Sequence, residues 1–276
     1  MNPNKALWEK GDFTRIAAAM RESGDALIDG LSLTPGMDVL DLGCGDGTTA
    51  LPAARRGANV TGVDIAENLV AAGNRRAVEA GLSNLRFQHG DASDLQEIGD
   101  ESFDLVVSIF GAMFAPRPFD VAREMVRVTR SGGRIVMGNW IPGDPTLIAQ
   151  VLKTSAAYSP PPPDGFISPV TWGIETEVRD RFEQAGVPIE NVLCERATYV
   201  FRTSGPPRDL LETFKSYYGP TMNAFEAASK AGNAERLETE LIQLFEANNR
   251  GGPHSTDIPA TFLKVTVRKP QGQKLV

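Results

Sequence analysis

Over the first half of the chain, short apolar runs alternate with longer stretches whose apolar residues recur at helical spacing. "DVLDLG" (38–43), "NVTGVDI" (59–65), "LRFQHGDA" (85–92), "FDLVVSIFG" (103–111) and "RIVMGNW" (134–140) read as strands. The fourth is almost wholly apolar, as a strand buried on both faces is. Between them, "TTALPAARRG" (48–57), "AENLVAAGNRRAVEAG" (66–81) and "PFDVAREMVRVTRSGG" (118–133) read as helices with a glycine stop. One helix is predicted over residues 4–31, with Leu7, Ala17, Met20 and Leu27 among its apolar positions, and "SLTPGM" follows as a turn. Strands alternating with helices of this length predict an α/β fold with a doubly wound, mostly parallel sheet. A ligand then lies at the carboxyl ends of the strands, near the point where strand order reverses.

The rhythm changes after Trp140. "SPPPPDG" (159–165) is a stiff connector, and "WGIETEVRDRFEQAG" (172–186) a further sheet-packing helix. "VLCERATYVFRT" and "ATFLKVTVRK" read as an antiparallel pair at one sheet edge, with a helical insertion between them. Leu210, Leu211, Phe214, Tyr217 and Tyr218 recur at helical spacing there, as do Leu237, Leu241, Leu244 and Phe245. The expected division is an N-terminal helical cover (1–35), a core (36–205 and 253–270) and the insertion (206–252). The tail "QGQKLV" is expected to fray.

Composition narrows the function. A net charge of −7 gives no general attraction to a phosphate backbone, so nucleic acid is not an expected partner. No apolar run approaches the roughly 20 residues that cross a bilayer, and the start lacks a signal-peptide core. A cytoplasmic protein without a membrane partner is expected. Two cysteines, Cys44 and Cys194, and two histidines, His89 and His254, give neither a disulfide framework nor a metal site.

The densest chemistry lies in "VLDLGCGDGTTA" (39–50), where a strand ends in an acid and runs into a glycine-rich loop. Asp41, Asp64 and Asp91 each fall at or just after a strand end. Any one could merely cap a helix or turn a loop. Three in successive units, beside a glycine loop, point jointly to a ligand. A nicotinamide-dependent oxidoreductase also carries a glycine-rich turn here, but its G-x-G-x-x-G pattern would need glycine where Thr48 stands. Asp41 would also repel a pyrophosphate and attract an ammonium group.

These segments together resemble the class I S-adenosylmethionine-dependent methyltransferases, and most closely their small-molecule, quinone-biosynthesis-like branch. "VLDLGCGDG", "VTGVDIAENLV", "FQHGDA", "FDLVVSIFGAMF" and "EMVRVTRSGGRIVM" match that family's motifs in order and spacing, over roughly residues 36–141. Ser131 departs from it, standing where a proline is common. The resemblance implies a Rossmann-like seven-stranded sheet with an antiparallel edge strand and a helical lid insertion. It implies S-adenosylmethionine as cofactor and S-adenosylhomocysteine as product. Asp41 would hold the methionine ammonium, directly or through water, and Gly43 and Gly45 would admit the methionine and ribose. Asp64 would accept from both ribose hydroxyls, with Ile65 beside it. Asp91 would face the adenine amino group and the Ala92 amide a ring nitrogen. Ser108 to Phe110 would lie under the sulfonium. Cys44 would pack within the loop, since nothing nearby in sequence activates a thiolate.

Transfer of a methyl group from a sulfonium needs mainly alignment and exclusion of water. A base matters only for acceptors that arrive protonated. The acceptor, a small and partly apolar molecule, is expected among the added parts: the N-terminal segment with Trp8 and Phe13, residues 141–170, and the insertion. Tyr217, Tyr218 and His254 are candidate catalytic residues, each with a bland reading as core or surface. "SIFGAMFAP" lacks the [DN]-P-P-[YF] signature of enzymes methylating nucleobases or glutamine amides. A donor-binding sensor without turnover is the second reading and the oxidoreductase the third.

Overall fold

The computed structural model describes residues 4–272. Three short helices open the chain, α1 (Asn4–Lys10), α2 (Phe13–Ala18) and α3 (Arg21–Asp29). The single helix predicted over 4–31 is therefore broken twice. At the first break the Asp12 carboxylate accepts the Thr14 amide at 3.2 Å and starts α2 afresh. The described part of the tail ends at Gly272, so most of the segment expected to fray lies outside the described residues.

The alternating unit follows as β1 (Asp38–Leu42), α4 (Ala50–Arg55), β2 (Asn59–Asp64), α5 (Glu67–Glu79), β3 (Leu85–His89), β4 (Phe103–Ile109), α6 (Pro118–Val128) and β5 (Thr129–Trp140). Pro118 sets the first turn of α6, and Val121, Ala122, Met125 and Val126 form its buried stripe. The helix stops at Val128, earlier than the glycine pair, because Thr129–Gly133 joins β5 through an irregularity against Phe103 and Leu105. Buried Lys269 donates to Val126 O and Thr129 O at the end of α6.

Beyond β5 come α7 (Leu147–Tyr158), α8 (Glu175–Gln184), β6 (Val192–Thr203), α9 (Pro207–Tyr217), α10 (Gly219–Lys230), α11 (Ala234–Asn248) and β7 (Thr256–Arg268). No helix was expected at α7; its start is fixed by Asp144, whose carboxylate accepts the Thr146 amide at 2.9 Å. Strand order is β3-β2-β1-β4-β5-β7-β6. β7 runs antiparallel to both neighbours, so β6 and β7 form the expected antiparallel edge pair, with β6 outermost. Order reverses between β1 and β4, which opens a crevice at their carboxyl ends. Separate apolar cores fill the two sheet faces.

The N-terminal helices cover that crevice. α1 packs on α10, α2 on α9 and α3 on the edge strand β6. Ser23 fastens α3 to β6: its hydroxyl donates to Val200 O and accepts from Val200 N, both at 2.9 Å. The outer edge of β6 is thereby closed at one end. Ser23→Ala leaves both backbone groups without this partner and is expected to cost about 1 kcal/mol. A lower urea midpoint at unchanged slope checks it.

Candidate active site

The loop after β1 carries Gly43, Gly45 and Gly47 at φ of +69°, +55° and +90°, the left-handed region that a side chain disfavours. The amides of Gly43 and Cys44 donate to Val63 O at 2.7 and 3.1 Å, pinning the loop to β2. A Cβ on Gly43 would fall 2.7 Å from Gly111, and one on Gly111 would run into Gly43 O. The two backbones touch across the switch point. Gly45 is different: a Cβ there would meet only the Phe13 ring, at 3.9 Å. It borders an open cavity instead of packed chain.

Asp64, at the end of β2, lines that cavity. Its oxygens accept the Gly45 amide at 2.8 Å and the Ala66 amide at 2.9 Å. Burial raises its pKa, and these two amides pull it back in part. Asp41 is 1% exposed and stands behind the loop, not on the cavity wall. It accepts the Thr49 hydroxyl at 2.5 Å, and it is Thr49 that reaches the cavity. Burial first, and the charge of Asp64 further, push its carboxyl up to about 7. Asp91 turns the chain after β3, accepting the Ser93 amide at 2.9 Å and hydroxyl at 2.7 Å; its neighbours Gly90 and Ala92 line the cavity. Ile65 does too.

Asp46, not singled out in the sequence, is 2% exposed and sits between Arg21 (2.9 Å) and Arg76 (3.4 Å). These pairs tie the loop to α3 and α5. Cys44 is buried against Gly62, and burial with Asp64 and Asp41 nearby pushes its thiol up, away from a reactive thiolate. Ser108 does not line the cavity. Its hydroxyl donates to Leu42 O at 2.6 Å and accepts the Ala112 amide at 3.0 Å, so it joins β4 to β1 and starts the next turn. Phe110 does line it, with φ of +62°, its ring stacked 3.6 Å from Trp140 and edge-on to Tyr199.

Past the glycine loop the cavity becomes aromatic. Trp8 and Phe13 of the N-terminal cover meet Phe114 and Tyr218, with Trp8 to Phe114 at 4.9 Å and Trp8 to Tyr218 at 6.0 Å. Phe214 closes on Tyr218 at 5.2 Å. Tyr199 also lines the cavity, but its hydroxyl is engaged with Met20 O at 3.2 Å. Of the three catalytic candidates, only Tyr218 is here. Tyr217 is 38% exposed with its ring under Arg15, and His254 is exposed in the loop before β7. No lysine, arginine or histidine lines the cavity among the described residues.

The donor set fits a nucleoside bearing a cationic amino acid. A carboxylate stands at the cavity where a ribose would lie, the Gly45 cradle has room a Cβ would fill, and two buried acids lack a matching cation. Asp41 makes the cost of that arrangement measurable. Its folded pKa of about 7 lies above its ordinary 3.8, so the folded chain holds a proton that the unfolded chain has released. Its contribution to stability is full below the lower value and is lost as pH rises through about 7. Asp41→Asn is expected to flatten this part of the curve of stability against pH, read from urea unfolding of the ligand-free protein.

Residues 40–137 match the family model described as a methyltransferase domain. The chain is 32% identical over 243 residues to the uncharacterized protein Rv1403c of Mycobacterium tuberculosis, covering 87% of this chain and 86% of that one. It is 38% identical over 119 residues to nocamycin O-methyltransferase of Saccharothrix syringae, 42% of each chain. In fold it is similar to a phosphoethanolamine N-methyltransferase of Haemonchus contortus solved with S-adenosyl-L-methionine, at a TM-score of 0.56 and 16% identity, covering 91% of this chain and 53% of that one. With the switch-point crevice, its glycine loop and its strand-end acids, these likenesses set the nicotinamide reading aside: the chain belongs to the class I S-adenosylmethionine-dependent methyltransferases.

Proposed function

We propose that the protein transfers the methyl group of S-adenosylmethionine to an oxygen of a small, partly apolar molecule. The observation that carries this is one cavity with two unlike ends, a glycine loop with Asp64 at one and a wall of aromatic rings at the other. Asp64 takes the ribose hydroxyls, a role that favours a charged, two-oxygen acceptor. Gly43 and Gly45 admit the methionine and ribose, with Cys44 packed between them and Ile65 alongside. Asp91 and the Ala92 amide face the adenine. Asp41 acts on the methionine ammonium through Thr49 or water, since it stands behind the loop. Ser108 secures the floor, and Phe110 lies over it.

The N-terminal helices and the insertion, α9 to α11, close over the acceptor end, with Trp8, Phe13 and Tyr218 as their contact. Enclosure excludes water and aligns the acceptor opposite the carbon–sulfur bond, which is most of what an activated donor requires. The oxygen acceptor draws support from nocamycin O-methyltransferase, a named relative over its matched part. A donor-binding sensor would have no use for the aromatic chamber beyond Asp64, and this chamber favours turnover.

Methyl transfer from labelled donor, over a panel of phenols, quinones, amines and thiols, tests the reading: label is expected on a phenol or enol. Asp64→Ala is expected to weaken donor binding by about 1–3 kcal/mol in calorimetric titration; unchanged affinity would remove the ribose role. Donor binding favours the charged form of Asp41. Affinity for S-adenosylmethionine should therefore rise with pH through about 7 and then level, with net proton release below that point.

A further inference from the structure

From the cavity wall we infer that the acceptor is taken as a preformed oxyanion, from an acidic enol or phenol, with the Tyr218 hydroxyl as its hydrogen-bond donor and no base supplied by the protein. The inference rests on the methyl-transfer reading above. Each ionisable side chain that lines the cavity is already committed, with one exception. Asp46 is held by Arg21 and Arg76, and Asp64 by the Gly45 and Ala66 amides. Tyr199 donates to Met20 O, and Cys44 is a buried thiol. Tyr218 is the exception: it is 5% exposed, lines the cavity, and has no hydrogen-bond partner among the described residues.

Its position is rigid. Tyr218 is the residue between α9 and α10, its amide donating to Phe214 O and its carbonyl accepting from Met222 N, both at 2.9 Å. Trp8, Phe13 and Phe214 fix the ring. Its hydroxyl is not sealed in the wall but opens on the cavity, where a ligand oxygen can accept from it. Burial keeps this phenol protonated, so it donates and does not act as a base.

Charge completes the case. An anion entering aromatic walls alone would be costly, but beside the sulfonium it is one half of a neutral pair. A protonated amine would bring a second positive charge to the sulfonium, and no group here is free to take its proton. In the transfer itself the acceptor oxygen forms a bond to the methyl carbon. The carbon–sulfur bond breaks, its electron pair stays on sulfur, both charges vanish, and no proton moves. The neutral product thioether no longer attracts an anion.

The test uses 2-hydroxy-1,4-naphthoquinone, an enol ionised at neutral pH, and 2-naphthol, a weak acid. Calorimetry should show the naphthoquinone binding at least about tenfold tighter to protein loaded with sinefungin, a cationic donor analogue, than with S-adenosylhomocysteine. Tyr218→Phe should raise its KM or dissociation constant roughly 10- to 100-fold while donor affinity stays unchanged. With S-adenosylmethionine held saturating at every pH, so that the titration of Asp41 does not enter, kcat/KM for the acceptor across about pH 6 to 9 should be flat for the naphthoquinone and rise with pH for 2-naphthol, so the break belongs to the acceptor. Equal or absent binding under both donor forms, a break common to both probes, or an unaffected Tyr218→Phe enzyme overturns the inference. Label passing only to an amine or thiol overturns it too, yet leaves a methyltransferase. Donor binding with no transfer to any member of the panel removes the parent reading.

Discussion

Two glycine backbones in contact hold the site together. Gly43 follows β1 and Gly111 follows β4, the two strands between which sheet order reverses, and neither position has room for a Cβ. In most doubly wound sheets the crevice at that point stays open because the connections leave in opposite directions. Here the two loops meet at its base and form a floor. Ser108 locks that floor by bonding across to Leu42 O, and Phe110 accepts a left-handed backbone to turn its ring beneath Trp140. Such a conformation at an aromatic residue persists only when its surroundings over-determine it, and stacking on Trp140 with edges on Tyr199 and Phe262 does so.

The floor also fixes the electrostatics. With the loop pinned to Val63 O, Asp64 reaches the Gly45 amide and Asp41 is sealed behind Thr49. Two carboxylates are then desolvated near one another without a cation, although Arg21 and Arg76 stand close by on Asp46. The arginines neutralise Asp46 and leave Asp64, on the cavity wall, and Asp41, behind the loop, uncompensated. A protein selected for stability alone would pair them. Unpaired buried acids of this kind cost stability, the usual mark of a position kept for function.

Much of this half was readable from the residues. The strand rhythm, the glycines and the acids at strand ends are local signals, and they led to the sheet and to the loop and strand ends around the cavity. What escaped was set by contacts between distant parts. The first helix breaks at Gly11, where a Cβ would run into Tyr217 O, a residue far along the chain. Asp46 looks like an ordinary loop acid until α3 and α5 bring Arg21 and Arg76 to it. Ser108 looked like a ligand contact, and its hydroxyl is spent inside the fold. The start of α7 did carry a local sign, Asp144 two residues before Thr146, overshadowed by the proline run that follows the helix.

Tyr217 and Tyr218 show why the aromatic end of the cavity is harder to read than the glycine-loop end. They are adjacent, alike in chemistry, and both consistent with one helical stripe. The chain breaks between α9 and α10 at Tyr218 itself, and Gly219, which opens α10, lets Leu7 O approach; that break turns one ring outward to Arg15 and the other into the cavity. Which tyrosine faces the cavity is thus decided by where α1 docks, not by either residue's own neighbours in sequence. The glycine-loop end rests on backbone geometry that a short motif can encode. The aromatic end is built where three separate segments meet, so its shape is free to vary while the glycine loop stays the same.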